Sequence, residues 1–247
     1  MSIPSDLLAK KMVAYYAGCF ANYYYPEVGH AMVKVLRRNG IQVTVPDQAC
    51  CGLPMLAKGN IKGAYGSMER NLRSFVEAVG DGHLLVTGCS SCSLFIKRDY
   101  PLLLGRQDAE KVARNTCHFS EYLLGLHQIG EFSTDFKAMH QTVFYHTPCH
   151  LRAQEIDSPT VELLRLIPGL TIKHVNDACC GMGGAYGYER ANYERSKEIG
   201  GKLFAEIGEN PADRVVTDCG GCKLQIEAGT GVKVDHPIIL VREAYNL

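Results

Sequence analysis

The tightest constraint in this 247-residue chain is a doubled thiol followed by glycine, written twice: Cys50-Cys51-Gly52-Leu53-Pro54 and Cys179-Cys180-Gly181-Met182-Gly183-Gly184. Neighbouring cysteines do not readily close a disulfide on each other, because the bond demands a Cα separation and a torsion that adjacent residues reach only with distortion. Two thiols at one point of the backbone therefore suggest a metal ion or cluster. Successive side chains in extended backbone point opposite ways, so both thiols face one ligand only where the chain turns sharply. Gly181, Gly183 and Gly184 make such a turn accessible, whereas Gly52 and Pro54 leave less freedom. The two copies are thus expected to differ in environment.

The repetition extends beyond the doubled thiols. Cys19 and Cys149 are 130 residues apart, as are Cys89 and Cys219, and Cys50 and Cys179 are 129 apart. Ten of the eleven cysteines pair in this way, as Cys19, Cys50, Cys51, Cys89, Cys92 and Cys149, Cys179, Cys180, Cys219, Cys222. Cys117 falls opposite Asp235 and reads as a buried small apolar residue.

Each copy alternates strand and helix. In the first, Met12–Ala17 is a strand candidate running into Cys19, and Pro26–Asn39 carries Val28, Met32, Val35 and Leu36 at helical spacing. Ile41–Val45 is a strand leading to Cys50-Cys51. Residues 60–79 place Met68, Leu72, Phe75, Val76 and Val79 on one helical face, and Leu84–Thr87 delivers Cys89-Ser90-Ser91-Cys92. Pro101–Thr116 reads as a polar helix, followed by Cys117-His118 and a short helix through Tyr122 and Leu126. Periodicity lapses from Gly130 to Gln141, which reads as the linker. Then Thr142–His146 is a strand ending at Pro148-Cys149-His150, Ser158-Pro159 opens a helix closing near Pro168-Gly169, and Thr171–Val175 leads to Cys179-Cys180. A helix with Ile199, Leu203, Phe204 and Ile207 on one face follows. Arg214–Thr217 delivers Cys219-Gly220-Gly221-Cys222, and His236-Pro237 opens a terminal helix in the place His118 holds in the first copy. The reading is an α/β chain of two tandem, pseudo-symmetric Rossmann-like domains, 1–130 and 131–247. Parallel sheets with right-handed crossovers bring the strand ends, and hence five thiols per copy, to one edge where such sheets place ligands.

Charge excludes some partners. Acidic and basic residues balance at 26 each, so no field attracts nucleic acid or an anionic membrane, and Arg37-Arg38 and Lys97-Arg98 read as solvated faces. No apolar run approaches the ~20 residues of a membrane span, and Met1–Lys11 has neither the apolar stretch nor the cleavage site of a signal peptide, which predicts a soluble cytoplasmic protein. In a reducing compartment thiols in this number are ligands rather than disulfides.

Five convergent thiols exceed the four that a tetrahedral zinc or a cubane 4Fe-4S cluster takes. A thioredoxin-like dithiol needs one Cys-x-x-Cys and leaves three companions per copy unexplained. Zinc in one or both sets stays open; iron–sulfur in at least one is the favoured reading. His146 and His150 flank Cys149, and the simpler reading for both is hydrogen bonding at the strand end. A positive Arg152 there would stabilise an anionic cluster or hold an anionic substrate. Ala185–Glu189 lacks the lysine and spacing of a phosphate loop and reads as packing around a cluster.

The pattern of Cys, Cys-Cys-Gly and Cys-x-x-Cys, twice over, resembles the cysteine-rich (CCG) domain family. That family is found in the B subunit of heterodisulfide reductase, the E subunit of succinate dehydrogenase, the iron–sulfur subunit of glycolate oxidase and the C subunit of anaerobic glycerol-3-phosphate dehydrogenase. Tyr145–His150, Leu164–Leu170 and His236-Pro237-Ile238 are most similar to the last of these. The resemblance implies that Cys149, Cys179, Cys180, Cys219 and Cys222 hold a noncubane 4Fe-4S cluster, with one cysteine bridging irons, and that Cys19, Cys50, Cys51, Cys89 and Cys92 hold a second. Some members bind zinc in the first copy; both thiol sets here are complete, which favours two clusters. The ferredoxin-like domain that opens the glycerol-3-phosphate dehydrogenase polypeptide is missing from this sequence, so electrons are expected from another polypeptide. The expected function is an electron-transfer subunit of a respiratory oxidoreductase, exchanging electrons between a flavoprotein dehydrogenase or ferredoxin-type partner and quinone, at the inner face of the membrane through a partner or membrane anchor. The rival is a catalytic disulfide reductase in which each cluster takes one sulfur of the split bond, and a third class is a zinc-stabilised scaffold without redox chemistry.

Overall fold

The structure is a computed structural model and describes residue 3 and residues 5–156 and 159–247. Among the described residues eight strands form two four-stranded sheets: β1 (Met12–Tyr16), β2 (Gln42–Thr44), β3 (Leu84–Thr87) and β4 (Thr116–His118) in one, β5 (Thr142–His146), β6 (Thr171–Asn176), β7 (Arg214–Thr217) and β8 (Val234–Asp235) in the other. The orders are β2-β1-β3-β4 and β6-β5-β7-β8, and every pairing is parallel. The two sheets are therefore copies of one topology, as the cysteine spacing requires.

Three strands per copy follow from the apolar runs; the fourth does not. Thr116–His118 and Val234–Asp235 are too short to show a period of two, and they qualify as strands only by pairing with β3 and β7. Cys117 sits on β4, fully enclosed, as a small core residue. The expected polar helix after Pro101 is broken in two, Tyr100–Leu104 and Gln107–Arg114, because Gly105 turns left-handed and ends the first piece. The second-copy helix is described over Pro159–Arg165, and Ser158 lies outside the described residues.

Strand alternation sorts the core into layers. Val13 and Tyr15, Leu84 and Val86, Val143 and Tyr145, and Val216 all face one shared core, which also takes in Met32, Leu36, Leu123, Leu163, Ile238 and Val241. That core lies between the two sheets and is filled by the helices Pro26–Arg38, Phe119–Gln128, Pro159–Arg165 and Pro237–Ala244. The intervening residues face outward: Ala14, Tyr16 and Leu85 pack under the helix Ile61–Gly80 with Met68, Leu72 and Phe75, and Phe144 and Val215 pack under Leu203, Ile207 and Ile226. Each buried Val, Leu, Ile, Phe or Met among them contributes about 1.5–3 kcal/mol by leaving water. The outer layers matter for the site, because Tyr16 and His146, at the ends of the two central strands, share this outward parity.

One expected face is corrected. In the helix Tyr193–Glu209, Leu203 and Ile207 are buried and Phe204 is partly so, but Ile199 is 46% exposed. The inner face there runs through Ser196 and Gly200, because the Cys180-Gly181 backbone crosses the helix so closely that only small residues fit.

Candidate thiol-lined functional site

The ends of three strands in each sheet deliver the cysteines. β1 leads to Cys19, β2 to Cys50 and Cys51, and β3 to Cys89 and Cys92; β5, β6 and β7 repeat this with Cys149, Cys179 and Cys180, and Cys219 and Cys222. Cys89 (φ −123°, ψ 122°) and Cys219 (φ −124°, ψ 120°) have the same extended backbone and cap the helices Ser90–Leu94 and Gly220–Thr230, which carry Cys92 and Cys222 in their first turns. The pseudo-symmetry thus holds to the level of single torsions.

All ten paired cysteines line one cavity of about 480 Å³. The remaining wall includes Phe20, Tyr24, His150, Met182, Gly183, Gly184 and Tyr188. The two thiol sets therefore face each other across a shared space. Cys117 is not among them. All eleven are free thiols, with Cys149 and Cys179 exposed and Cys51, Cys92, Cys180, Cys219 and Cys222 buried.

The doubled thiols turn as their glycines allow. Gly181, Gly183 and Gly184 have φ of +85°, +56° and +65°, and Gly52 has φ of +104°. A Cβ on Gly181 would stand 2.0 Å from the Ser196 carbonyl oxygen, and one on Gly52 would stand 3.1 Å from that of Ala64. Glycine at 181 is thus dictated by both torsion and space.

Different side chains pin the two turns, and sequence pattern alone does not single them out. In the first copy Asn71 accepts from the Ala49 amide (2.7 Å) and donates to the Cys50 carbonyl (3.1 Å), while the Tyr100 hydroxyl donates to the Cys51 carbonyl (2.9 Å). Gln48 accepts from the Ala17 and Gly18 amides (2.9 and 3.0 Å), holding the approach to Cys19. In the second copy the Ser196 hydroxyl donates to the Gly181 carbonyl (2.8 Å) and accepts from Gln225 (2.7 Å), and Asn176 accepts from the Ala178 amide (2.8 Å). The available signal is a lone polar residue on an apolar helical face, which Asn71 and Ser196 both are.

The copies also meet through the site. The Ser91 hydroxyl lies 2.7 Å from His150 Nδ1 and 3.5 Å from Cys219 Sγ, so a first-copy side chain stands between two second-copy groups. His236 Nε2 donates to the Gly88 carbonyl (2.7 Å), and the equivalent His118 approaches Asp218 at 3.9 Å. His118 and His236 thus cap their own helices and reach toward the opposite copy. Arg152 pairs with Asp177 (2.8 Å) and is not among the residues lining the cavity. The segment Tyr186–Tyr188 is a single 3-10 turn packed beside the thiols, with Tyr188 on the cavity wall.

Crowding sets the protonation pattern. The sulfurs hydrogen-bond in sequence from Cys19 through Cys50, Cys51, Cys92, Cys89, Cys219 and Cys222 to Cys180, crossing between copies at Cys89 and Cys219. Cys50 is pulled down to about 3 by the Cys19 and Cys51 thiols, and Cys219 falls well below the usual thiol range through Cys222 and Cys89. Cys180 comes down to about 6, first through Cys222, with burial opposing and the adjacent His146 also favouring its thiolate. Their donors move the other way: Cys89 is raised to about 11 by its hydrogen bond to Cys219, and Cys51 and Cys92 rise as donors to Cys50 and Cys51. Cys149 is raised to about 11, mainly by burial. Thiolates interspersed among thiols in a crowded array are a donor set that bound cations would stabilise throughout.

Parallel sheets duplicated within one chain, with ten thiols walling one cavity at their carboxyl edges, define a tandem α/β protein built around paired cysteine sets. The chain belongs to the cysteine-rich (CCG) domain family, whose model matches it twice, over residues 13–97 and 143–227. It is similar to the C subunit of anaerobic glycerol-3-phosphate dehydrogenase from Escherichia coli, at 37% identity over 238 residues, covering 95% of this chain and 59% of that one. It is similar to the B subunit of fumarate reductase (CoM/CoB) from Methanothermobacter marburgensis, at 33% identity over 245 residues, covering 95% of this chain and 46% of the relative. Lactate utilization protein A of Geobacillus kaustophilus is 28% identical over 236 residues, covering 92% of this chain and 94% of its own length. The chain thus spans about half of the first two relatives. No helix among the described residues is long and apolar enough to cross a membrane.

Proposed function

We propose that the chain is an iron–sulfur subunit of an oxidoreductase complex, carrying electrons between a flavoprotein dehydrogenase or ferredoxin-type partner and quinone. The observation that carries this is the convergence of ten thiols on one cavity, with enough donors for two clusters and thiolates already favoured at Cys50 and Cys219. Cys19, Cys50, Cys51, Cys89 and Cys92 would hold one 4Fe-4S cluster. Cys149, Cys179, Cys180, Cys219 and Cys222 would hold the other, of noncubane type, with zinc in one set as the alternative. Bound clusters supply one-electron storage; the residues of this chain supply the thiolates, exclude water behind Cys51, Cys92, Cys180 and Cys222, and fix the spacing of the sets. Two relatives named as oxidoreductase subunits support the class, and the division into domains 1–130 and 131–247 belongs to the same proposal. The complex would sit at the inner face of the membrane through its partners.

A second reading, disulfide reduction, is favoured by the shared cavity. Two sets facing one space suit a substrate whose two sulfurs part, each leaving as a thiol after two electrons and two protons arrive. Anaerobic purification with iron, sulfide and zinc counts tests the class: iron and sulfide in both sets is expected, and zinc without iron in both overturns it. Mixing the dithionite-reduced protein with a quinone analogue or an organic disulfide separates the readings. Reoxidation by the quinone alone supports transfer, and stoichiometric thiol release supports catalysis.

A further inference from the structure

His146 and Tyr16 occupy equivalent places at the ends of the central strands β5 and β1, on the outward faces that meet the doubled-thiol turns. The Tyr16 hydroxyl is spent on the backbone, donating to the Ala49 carbonyl at 2.9 Å. His146 has no such partner. It is 1% exposed, neither ring nitrogen has an oxygen or nitrogen partner, and one of them faces the sulfurs of Cys180 and Cys222, within 4.8 Å of both. A neutral imidazole carries one N–H and one lone pair, and a buried site that answers neither with oxygen or nitrogen leaves them to the adjacent sulfurs. Such an imidazole beside two thiol ligands is expected to be answered once those sulfurs carry charge.

The cavity wall further restricts the role. Cys180 and Cys222 line the cavity and His146 does not, so the imidazole stands behind the sulfurs, on the side away from the space a cluster would fill. From there it reaches a thiolate more directly than an iron. Hydrogen bonds to cluster sulfurs are among the levers that raise reduction potential, because they stabilise the charge that reduction adds. The first copy lacks this lever, since tyrosine stands at its equivalent position and points its proton at a carbonyl.

We propose that His146 is a positioning residue of the second thiol set, donating its N–H to the Cys180 or Cys222 thiolate and making that centre the more easily reduced of the pair. This rests on the reading that both sets hold iron–sulfur clusters. Electrons entering at the first set would then come to rest on the second, giving the symmetric repeat a direction.

The test uses the full chain purified anaerobically, with His146→Leu, His146→Gln and Tyr16→Phe, followed by redox titration monitored by EPR; Cys180→Ser identifies the second set's signal. His146→Leu should shift the second centre's oxidised-to-reduced ratio about tenfold toward oxidised at fixed potential, which is a fall of about 59 mV for one electron. His146→Gln, which keeps an N–H donor, should recover most of that shift, and Tyr16→Phe should leave the second centre unchanged. Pulsed EPR on protein labelled with 15N-histidine should show a weak coupling that His146→Leu abolishes. A shift under twofold, or equal behaviour of Leu and Gln, overturns the proposal. A strong nitrogen coupling with loss of half the iron in both variants overturns it in favour of direct iron ligation. Iron and sulfide missing from the wild type overturns it together with the reading it rests on, and the metal counts show that outcome separately.

Discussion

Replacing Gly181 by alanine should be among the most damaging single-methyl changes in the chain, and a graded series isolates why. At Gly59 (φ +73°) nothing lies within 4 Å of an added Cβ, so Gly59→Ala meets only the left-handed torsion, about 1–2 kcal/mol. At Gly52 the same torsional cost is joined by a Cβ 3.1 Å from the Ala64 carbonyl oxygen, a contact that gives by a few tenths of an ångström, for about 2–3 kcal/mol in all. At Gly181 the Cβ meets the Ser196 carbonyl at 2.0 Å and the Gly200 amide nitrogen at 2.9 Å, both of them helix backbone. Strain of about 1–2 kcal/mol, overpacking of about 1–3 and loss of the Ser196–Gly181 hydrogen bond of about 1 come to about 4 kcal/mol. That is a large part of the ~5–15 kcal/mol stability of an ordinary domain. Urea unfolding of the metal-free, reduced protein by circular dichroism measures the three costs, and iron content of the reconstituted variants shows which set is lost. Gly181→Ala should rank last in stability and lose the second set's iron. A cost within about 1 kcal/mol of Gly59→Ala would refute the reasoning, because it would mean that the helix yields freely where it crosses Gly181.

Other expectations follow from the pinning residues and from burial. Tyr100→Phe removes the buried bond to the Cys51 carbonyl and should cost about 1–2 kcal/mol in urea unfolding, with the first set's metal affinity falling and the second's unchanged. Asn71→Ala frees both the Ala49 amide and the Cys50 carbonyl and should cost more than Tyr100→Phe in the same assay. Cys180→Ser should remove about half of the bound iron and one EPR signal; loss of both signals would show that the sulfur chain through Cys89 and Cys219 makes the sets one cooperative unit. His236 is held down at about 4, mainly by burial, so the folded state stays neutral where the unfolded chain takes up a proton. Its contribution is fully present above pH ~6.5 and is lost as pH falls toward 4, about 3 kcal/mol in all. The stability difference between wild type and His236→Asn should fall across that window and be flat above it.

Much of the fold is legible because the cysteines punctuate it. Leu84–Thr87 and Thr142–His146 coincide with their apolar runs, since a buried parallel strand is written in consecutive apolar residues. β4 and β8 are illegible because two or three residues carry no period, and only the neighbouring strand makes them strands. Ile199 misleads because helical spacing cannot register a crossing backbone that admits only Ser196 and Gly200. The thiol sets are visible as a pattern, but their opening onto one cavity is not, because pattern gives the sheet edge and not the docking of two sheets. Asn71 and Tyr100 reach the first doubled thiol from 21 and 49 residues along the chain, Ser91 and Gln225 sit beside Cys92 and Cys222 but bond to other elements, and each looks like an ordinary helical residue. His146 reads from the sequence as a strand-end hydrogen-bonding residue, and the structure sets it against the sulfurs of Cys180 and Cys222, which lie far from it in the chain.

The central claim is that both thiol sets hold redox centres facing one cavity, and spin–spin interaction tests it most directly. In anaerobically purified protein reduced at both sets, EPR should show split or broadened signals from two centres in mutual range, collapsing to one unsplit signal in Cys180→Ser. Two sharp, additive signals in the wild type, each unaltered when the other set is removed, or iron in one set alone, would contradict the account.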